Sequence, residues 1–543
     1  MVFARRSTTL LAAIIASCAM VLSLTACTSE NKTVVDGQTT VTSNSAGGVA
    51  VFTPSDGITL NQQTPLNKWA KLVPDLAKAL ADAGFKKGDI DHTTSDSLAK
   101  QSRAIQDFVV DHLSNNTTDD SGIAIAPDNM TLLVAPVVEA DASTRQYGDY
   151  ISQNLSTNDA TDEGATSDGE SSEDDSSKDD SSNTESDSTA SDEQAQAVDR
   201  LVSSLKLAKE SGMHVVLLGN SIEGYKPDAF VKFSDAQTIG KLQAEKMVSK
   251  LKLDKASKDN PKYIEVLLPY TAVDEKGNAN DSTFAQEAFR GIWQVLGSYY
   301  QKGVVESPSG TLDGKSTEND WQAVAYDAAK EGSTAKVLDK RLAKTDGQST
   351  LTRIDGIITM NDYIASEVVK ELDDLGYTGS AADINPQITI SGIVGNITGK
   401  KDLSRDAVPD PIKSPENDNA NDSSSSDDDA DEDTSASDKD RDSQWPLVTG
   451  YGAYVSNIPS IVNGKQWMTG MEDRQTIATD IAQACAKLNK DEALNSMPSI
   501  RNSEVGGVKK IPTISEPLLA VSASNLKSAL IDPGYISLAD AGL

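Results

Sequence analysis

The sequence predicts an α/β protein built as two doubly wound parallel-sheet lobes, and three observations predict it. Short apolar runs alternate with amphipathic segments from Gly47 onward. The runs are apolar throughout rather than alternately apolar and polar, the pattern of parallel strands covered on both faces. More than six strand–helix units follow one another, too many for one small doubly wound domain, so two lobes are expected.

The units run in order. "VAVFTP" leads to "LNKWAKLVPDLAKALADAGF", and "TLLVAPV" is separated by an acidic spacer from "AVDRLVSSLKLAKESG". "HVVLLGN" precedes "DAQTIGKLQAEKMVSKL", and "YIEVLLPY" precedes "FAQEAFRGIWQVLGSYY". "IDGIITMND" precedes "YIASEVVKELDDLG". In that last helix Ile364, Val368 and Leu372 recur at i, i+4 and i+8 with Ala365 and Val369 beside them, one apolar stripe ended by Gly376. Asn361 and Asp362 stand where the apolar strand gives way to the helix. Both side chains accept hydrogen bonds from free helix N–H groups, so an N-cap is a sufficient explanation for either.

The formal charge of the 543 residues is -33, which argues against a nucleic-acid partner, since phosphate binding needs Lys and Arg. Much of the charge is local. From Asp159 to Glu193 there are 14 acidic residues and one basic, and from Glu416 to Asp442 there are 12 acidic and two basic. These two tracts carry -23 of the total and have almost nothing apolar to bury, so both are expected to be disordered surface loops. Neither matches the spaced calcium-loop pattern, and solvated spacers are the simpler reading. The three His residues, His92, His112 and His214, lie in no Cys/His pattern, so no metal site and no cofactor is expected.

At the N-terminus Arg5 and Arg6 precede "LLAAIIASCAMVLSL", and "LTAC" ends at Cys27. A charged start, a short apolar core and small residues before a cysteine resemble a bacterial lipoprotein lipobox. The resemblance implies a signal peptide over 1–26, cleavage before Cys27, acylation of its thiol and a flexible tether over 27–46. Each buried methylene stabilises insertion by ~0.8 kcal/mol, so two or three chains hold a protein on a membrane. A plain secretory signal or an uncleaved anchor helix is the rival reading. After processing only Cys485 would remain free, which excludes an intrachain disulfide and leaves a buried structural thiol.

Several segments occur in the order of type 1 periplasmic sugar-binding proteins of ABC transporters, closest to the xylose and multiple-monosaccharide members. "WAKLVPDLAKALADAGF" resembles their first helix and "SGMHVVLLGN" the strand before the first lobe crossing. "DGIITMNDYIASEVVKELDDLGYTG" resembles their "DGI…NDG" strand and helix. "IPSIVNGKQWMTGMEDRQTIATDIAQACAKL" and "GGVKKIPTISEPLLAVSASNLKSALIDPGY" resemble the closing segments. The resemblance implies two lobes joined by three crossovers with a ligand cleft between them. It places the N-terminal lobe over 47–231 and 453–513 and the C-terminal lobe over 232–452 and 514–543. The acidic inserts then fall at about 155–195 and 399–444.

Sugar recognition needs aromatic faces for C–H surfaces and amides, carboxylates or guanidinium groups for hydroxyls. The resemblance points to Trp69, Asn220, Asp235, Trp321, Asn361 and Asp362 as ligand contacts. A core or surface position rivals this for the two Trp residues, and helix capping for Asp235, Asn361 and Asp362. The chain departs from the family where relatives carry Asp-Arg, having Gly219-Asn220, and where they carry an Asn pair, having Thr283-Phe284. Either "SGIVGN" or "TGYGAY" stands for their Gly-Gln-Asp, and neither supplies the carboxylate.

The resemblance implies a monomeric, lipid-anchored solute receptor on the extracellular face of a bacterial membrane, delivering a small ligand to an ABC permease. The missing cleft charges and the acidic loops favour an alternative, a sensor or interaction lipoprotein with altered or lost sugar binding. No enzyme is expected, because no His lies in a catalytic motif and no G-x-S-x-G, H-E-x-x-H or P-loop occurs.

Overall fold

The structure, a computed structural model, describes residues 46–55, 65–115, 126–138, 144–157, 184–273, 280–343, 351–381 and 444–543. The signal peptide, Cys27, most of the first acidic tract, the second tract and "SGIVGN" lie outside them.

In chain order the first part of the chain gives β1 (Gly48–Pro54), α1 (Trp69–Asp82), β2 (Ile90–Ser95), α2 (Leu98–Asn115) and β3 (Met130–Val134). β4 (Asn154–Leu155), α3 (Thr184–Glu210), β5 (His214–Leu218), β6 (Ser221–Ile222) and β7 (Ala229–Lys232) follow. Next come α4 (Ala236–Leu251), β8 (Lys262–Val266), β9 (Leu268–Pro269), α5 (Thr283–Gln301), β10 (Val305–Glu306) and α6 (Trp321–Val324). Then β11 (Ala325–Tyr326), α7 (Ser333–Arg341), β12 (Gly356–Ile358), α8 (Asp362–Leu375) and β13 (Leu447–Tyr451). The remainder is α9 (Ile458–Val462), β14 (Met468–Met471), α10 (Arg474–Leu488), β15 (Ile500–Val505), β16 (Val508–Ser515) and β17 (Leu519–Ser522).

These strands form two large sheets. One has the order β15-β16-β7-β5-β3-β1-β2 and the other β10-β8-β12-β13-β14-β17. Both share one doubly wound scheme. The first strand of each (β1 or β8) has the second on one side (β2 or β10) and the later ones on the other, in sequence except that β15 lies at the edge beyond β16. Pairing is parallel except at β15–β16 and β14–β17. The first sheet is covered on both faces, as its unbroken apolar strands require. Val49 and Val51 belong to one core cluster with Leu72 and Leu76, while Ala50 and Phe52 belong to another with Ile105 and Leu201. Residues one apart point to opposite faces. The second sheet shares its core with α4, α5 and α8 through Ile239, Phe289, Ile292, Ile364 and Val368.

The chain passes between the two layers three times, at 233–235, at 472–473 and at 516–518. The second passage differs from the expected boundary at 452/453. α9 and β14 stay with the second sheet, because β14 pairs with β13 through Thr449–Met468 to Tyr451–Gly470. The return to the first lobe begins at α10, which buries Ile477, Ile481 and Cys485 against Leu72 and Leu76 of α1. Cys485 is a free, fully buried thiol whose pKa burial raises. The first acidic insert is also shorter than expected, since β4 precedes it and α3 begins at Thr184.

Candidate functional site

In open α/β sheets ligands bind beyond the carboxyl ends of the strands. Here the ends of β3, β5 and β7 from one sheet and of β12, β13 and β14 from the other converge with the 233–235 and 472–473 crossings. Two of these ends share one local turn. Asn220 N–H donates to the Leu218 carbonyl at 2.7 Å across Gly219, whose φ is 71°. Asn361 N–H donates to the Thr359 carbonyl at 2.9 Å across Met360, whose φ is 69°. Glycine takes that conformation freely. Methionine does not, so Met360 holds strain of the kind that collects at functional positions. Its carbonyl is fixed by Gln243 Nε2 at 3.0 Å.

The space that these ends surround is occupied by the chain itself. The β3–α3 connection, far longer than the usual 2–6 residues, sends residues 144–155 back across the strand ends. Tyr147 is 1 % exposed, with its ring 4.7 Å from Phe284 and 6.2 Å from Tyr451. Tyr150 stacks on Phe233 at 4.7 Å and meets Trp69 edge-on at 5.1 Å.

The predicted site residues fall around this segment. Trp69 is 3 % exposed, enclosed by Tyr150 and Phe233. Its helix α1 has no cap from Lys68, the preceding residue; instead Asp149 Oδ2 accepts from Trp69 N–H at 3.1 Å and Asp149 Oδ1 pairs with Lys68 Nζ at 2.7 Å. An acidic group there also complements the helix dipole. Asn220 accepts from Gln153 N–H at 2.9 Å and donates to the Pro136 carbonyl at 2.9 Å, tying the start of the connection to the 144–155 segment. Asn361 caps α8, accepting from Ile364 N–H at 2.9 Å, and its Nδ2 donates to Gln146 Oε1 at 3.1 Å.

Asp362 faces inward and is 0 % exposed. Its carboxylate accepts from Tyr454 N–H at 2.9 Å, Gln466 Nε2 at 2.7 Å and Thr469 Oγ1 at 2.9 Å. It reaches them because Gly450 leaves the room: a Cβ there would lie 2.2 Å from Asp362 Oδ1. Burial pushes its pKa up to about 6 despite these bonds. Of the two candidate segments, "TGYGAY" is the one described, and its Tyr451 and Tyr454 both meet the 144–155 segment.

A cavity of about 590 Å³ remains beside the segment, lined by Gln153, Asn154, Asp235, Asp281, Phe284 and Glu287 among others. Asp235 caps α4 through Thr238 N–H at 2.7 Å. Burial alone would raise its pKa, but hydrogen bonds from Lys232 and Thr238 outweigh that and hold it below the ordinary range. Trp321 lies apart, 9 % exposed, edge-on to Tyr270 at 5.1 Å beside a second cavity of about 290 Å³.

Sequence reasoning missed Gln146, Tyr147, Tyr150 and the crossing carboxylate Glu472. Glu472 sits in the second crossing, and its Oε1 accepts from Ser234 N–H of the first crossing at 2.6 Å. Burial pushes its pKa up to about 7.

No protein-family model and no curated protein matches the chain. Similar solved structures include a solute-binding protein of an ABC transporter from Clostridium phytofermentans with bound β-D-glucose. It is 17% identical, covers 91% of this chain and 99% of its own, and has a TM-score of 0.44. A carbohydrate-transporter solute-binding protein from Chloroflexus aurantiacus in complex with D-glucose is 18% identical over 92% and 98% of the two chains, with a TM-score of 0.43. A periplasmic ribose ABC transporter protein from Conexibacter woesei is 13% identical over 90% and 96%, with a TM-score of 0.42. The fold class itself rests on this chain's own topology: two doubly wound sheets joined by three crossings.

Proposed function

We propose that the chain is a lipid-anchored extracellular solute-binding protein that takes a small polyhydroxylated ligand, a sugar, between its lobes and delivers it to an ABC importer. The cavity beside residues 144–155 carries this reading. Its volume, about 590 Å³, suits a small molecule. Asp235, Asp281 and Glu287 offer carboxylate acceptors for hydroxyl donors, Gln153 and Asn154 offer amides, and Phe284 offers a ring. Three carboxylates disfavour an anionic ligand. Attachment through Cys27 follows from "LTAC" alone.

Calorimetry and thermal-shift measurements on the processed protein against mono- and oligosaccharides test this. Binding heat and a raised Tm are expected for at least one sugar, weakened by Asp281→Asn. Silence across a broad panel, with the protein folded, would contradict it. A second reading, a lipoprotein that keeps the fold for sensing or adhesion, is favoured by one observation. Trp69, Asn220, Asn361 and Asp362 are already engaged by the chain's own groups. Unchanged sugar uptake in cells lacking the protein would favour that second reading.

A further inference from the structure

We infer that residues 144–155 act as a built-in strap that occupies the interlobe cleft and holds the two lobes together in the absence of ligand. Neighbouring strap residues are divided between the lobes. Tyr147 and Ile151 lie in the core cluster of the second lobe, whereas Tyr150 lies in that of the first. On the first lobe, Asp149 caps α1, Tyr150 OH donates to the Lys68 carbonyl at 2.6 Å, and β4 pairs with β6. Gly148, at φ 93°, lies so close to Asn67 that a Cβ would come within 2.5 Å of its carbonyl oxygen. On the second lobe, Gln146 accepts from Asn361 Nδ2 through its side chain and from Tyr454 OH, at 2.6 Å, through its carbonyl.

The fit is incomplete in a telling way. The buried Ser152 hydroxyl and Asn67 Nδ2 have no hydrogen-bond partner among the described residues, and the buried Tyr147 hydroxyl has only the Asn361 side chain beside it, without a well-formed hydrogen bond. Buried polar groups are ordinarily paired, and leaving one unmade is costly. Such poorly satisfied groups, two on the segment and Asn67 against it, mark contacts that another occupant with hydroxyls could improve on. A binding protein whose hinge closes around ligand is expected to be open without it. This chain supplies the bridging contacts itself, so its resting state is closed, and a ligand that reaches the central cleft must first displace the second-lobe half of the strap. The inference does not depend on which ligand that is.

Spin labels at Lys78→Cys on α1 and Lys315→Cys in the second lobe report the interlobe distance in the full processed protein. Cys485, fully buried, stays unlabelled. The ligand-free protein should give one narrow distance distribution. The double variant Gln146→Ala/Tyr147→Ala, which leaves the first-lobe contacts in place, should give a longer and broader one. Tyr454→Phe removes only one hydroxyl and serves as the milder variant, with a smaller shift in the same direction. A broad distribution in the ligand-free parent, or an unshifted one in a folded double variant, overturns the strap. D-glucose, D-xylose and D-ribose, titrated into both forms, form the second arm. The strap predicts at least tenfold tighter binding to the opened variant for any that bind, and equal affinities overturn it. Failure of all three to bind an opened variant counts against the sugar reading above and leaves the strap standing.

Discussion

Against the first lobe, residues 144–155 are held by a strand pairing, a partly buried ion pair, a helix cap and an aromatic stack of Tyr150 on Phe233 beside Trp69. Against the second, they are held by two hydrogen bonds to Gln146, by Ile151 and by the Tyr147 ring, whose hydroxyl makes no well-formed hydrogen bond. The first set resembles a fold's own interior. The second is of the kind that a ligand's hydroxyls could replace at little net cost, because a typical hydrogen bond contributes only about 1 kcal/mol net. The contrast says which side of the strap should part when the lobes separate.

Substitutions sharpen or break that comparison. Trp69→Ala should be the most damaging, lowering stability by about 3–5 kcal/mol through a cavity shared with Tyr150 and Phe233. Urea unfolding would read it, and a loss below about 1 kcal/mol would mean that the first-lobe stack is not a core. Asp362→Ala comes next, at about 3 kcal/mol, since it removes the buried acceptor of Gln466 Nε2, Thr469 Oγ1 and the Tyr454 N–H beneath the strap. The same unfolding midpoints measure it.

Third is a pH effect at the crossings. Burial raises the folded pKa of Glu472 from 4.5 to about 7, with Asp235 nearby adding to the rise and the Ser234 and Tyr451 bonds opposing it. The folded chain therefore binds this proton more tightly than the unfolded chain. The stabilising contribution is complete below about 4.5 and is lost as pH rises through about 7. Relative to Glu472→Gln, the parent should gain on the order of 2–3 kcal/mol between pH 8 and pH 5. Parallel stability profiles would contradict this. The smallest effect is expected of Tyr147→Phe. Removing a hydroxyl that makes no well-formed hydrogen bond should change stability by less than about 1 kcal/mol in either direction, whereas a larger loss in the melting curve would show that its contact with Asn361 is a full hydrogen bond.

The sheets were legible because their strands are apolar on both faces, and the α8 stripe of Ile364, Val368 and Leu372 is buried as its spacing requires. The second crossing was not legible. β14 reads "MTGM", four residues with a glycine, and only its pairing with β13 makes it a strand. At the site, the alternatives weighed for Asn361 and Asp362 separate. Asn361 is the cap and touches the strap, while Asp362 turns inward to a network whose partners lie about a hundred residues on, beyond any local pattern. The strap lay in a connection with no strand or helix period. Its one sequence signal was the spacing of Tyr147, Tyr150 and Ile151 in an otherwise polar stretch bordering the acidic tract. The spacing marks side chains with something to bury, but sequence does not say against which lobe.

The most direct test is a crystal structure of the ligand-free processed protein. The account predicts closed lobes with the Tyr147 ring between Phe284 and Tyr451 and Gln146 bonded to Asn361 and Tyr454. Lobes standing apart, with Tyr147 withdrawn and Trp69 facing solvent across an empty cleft, would contradict it.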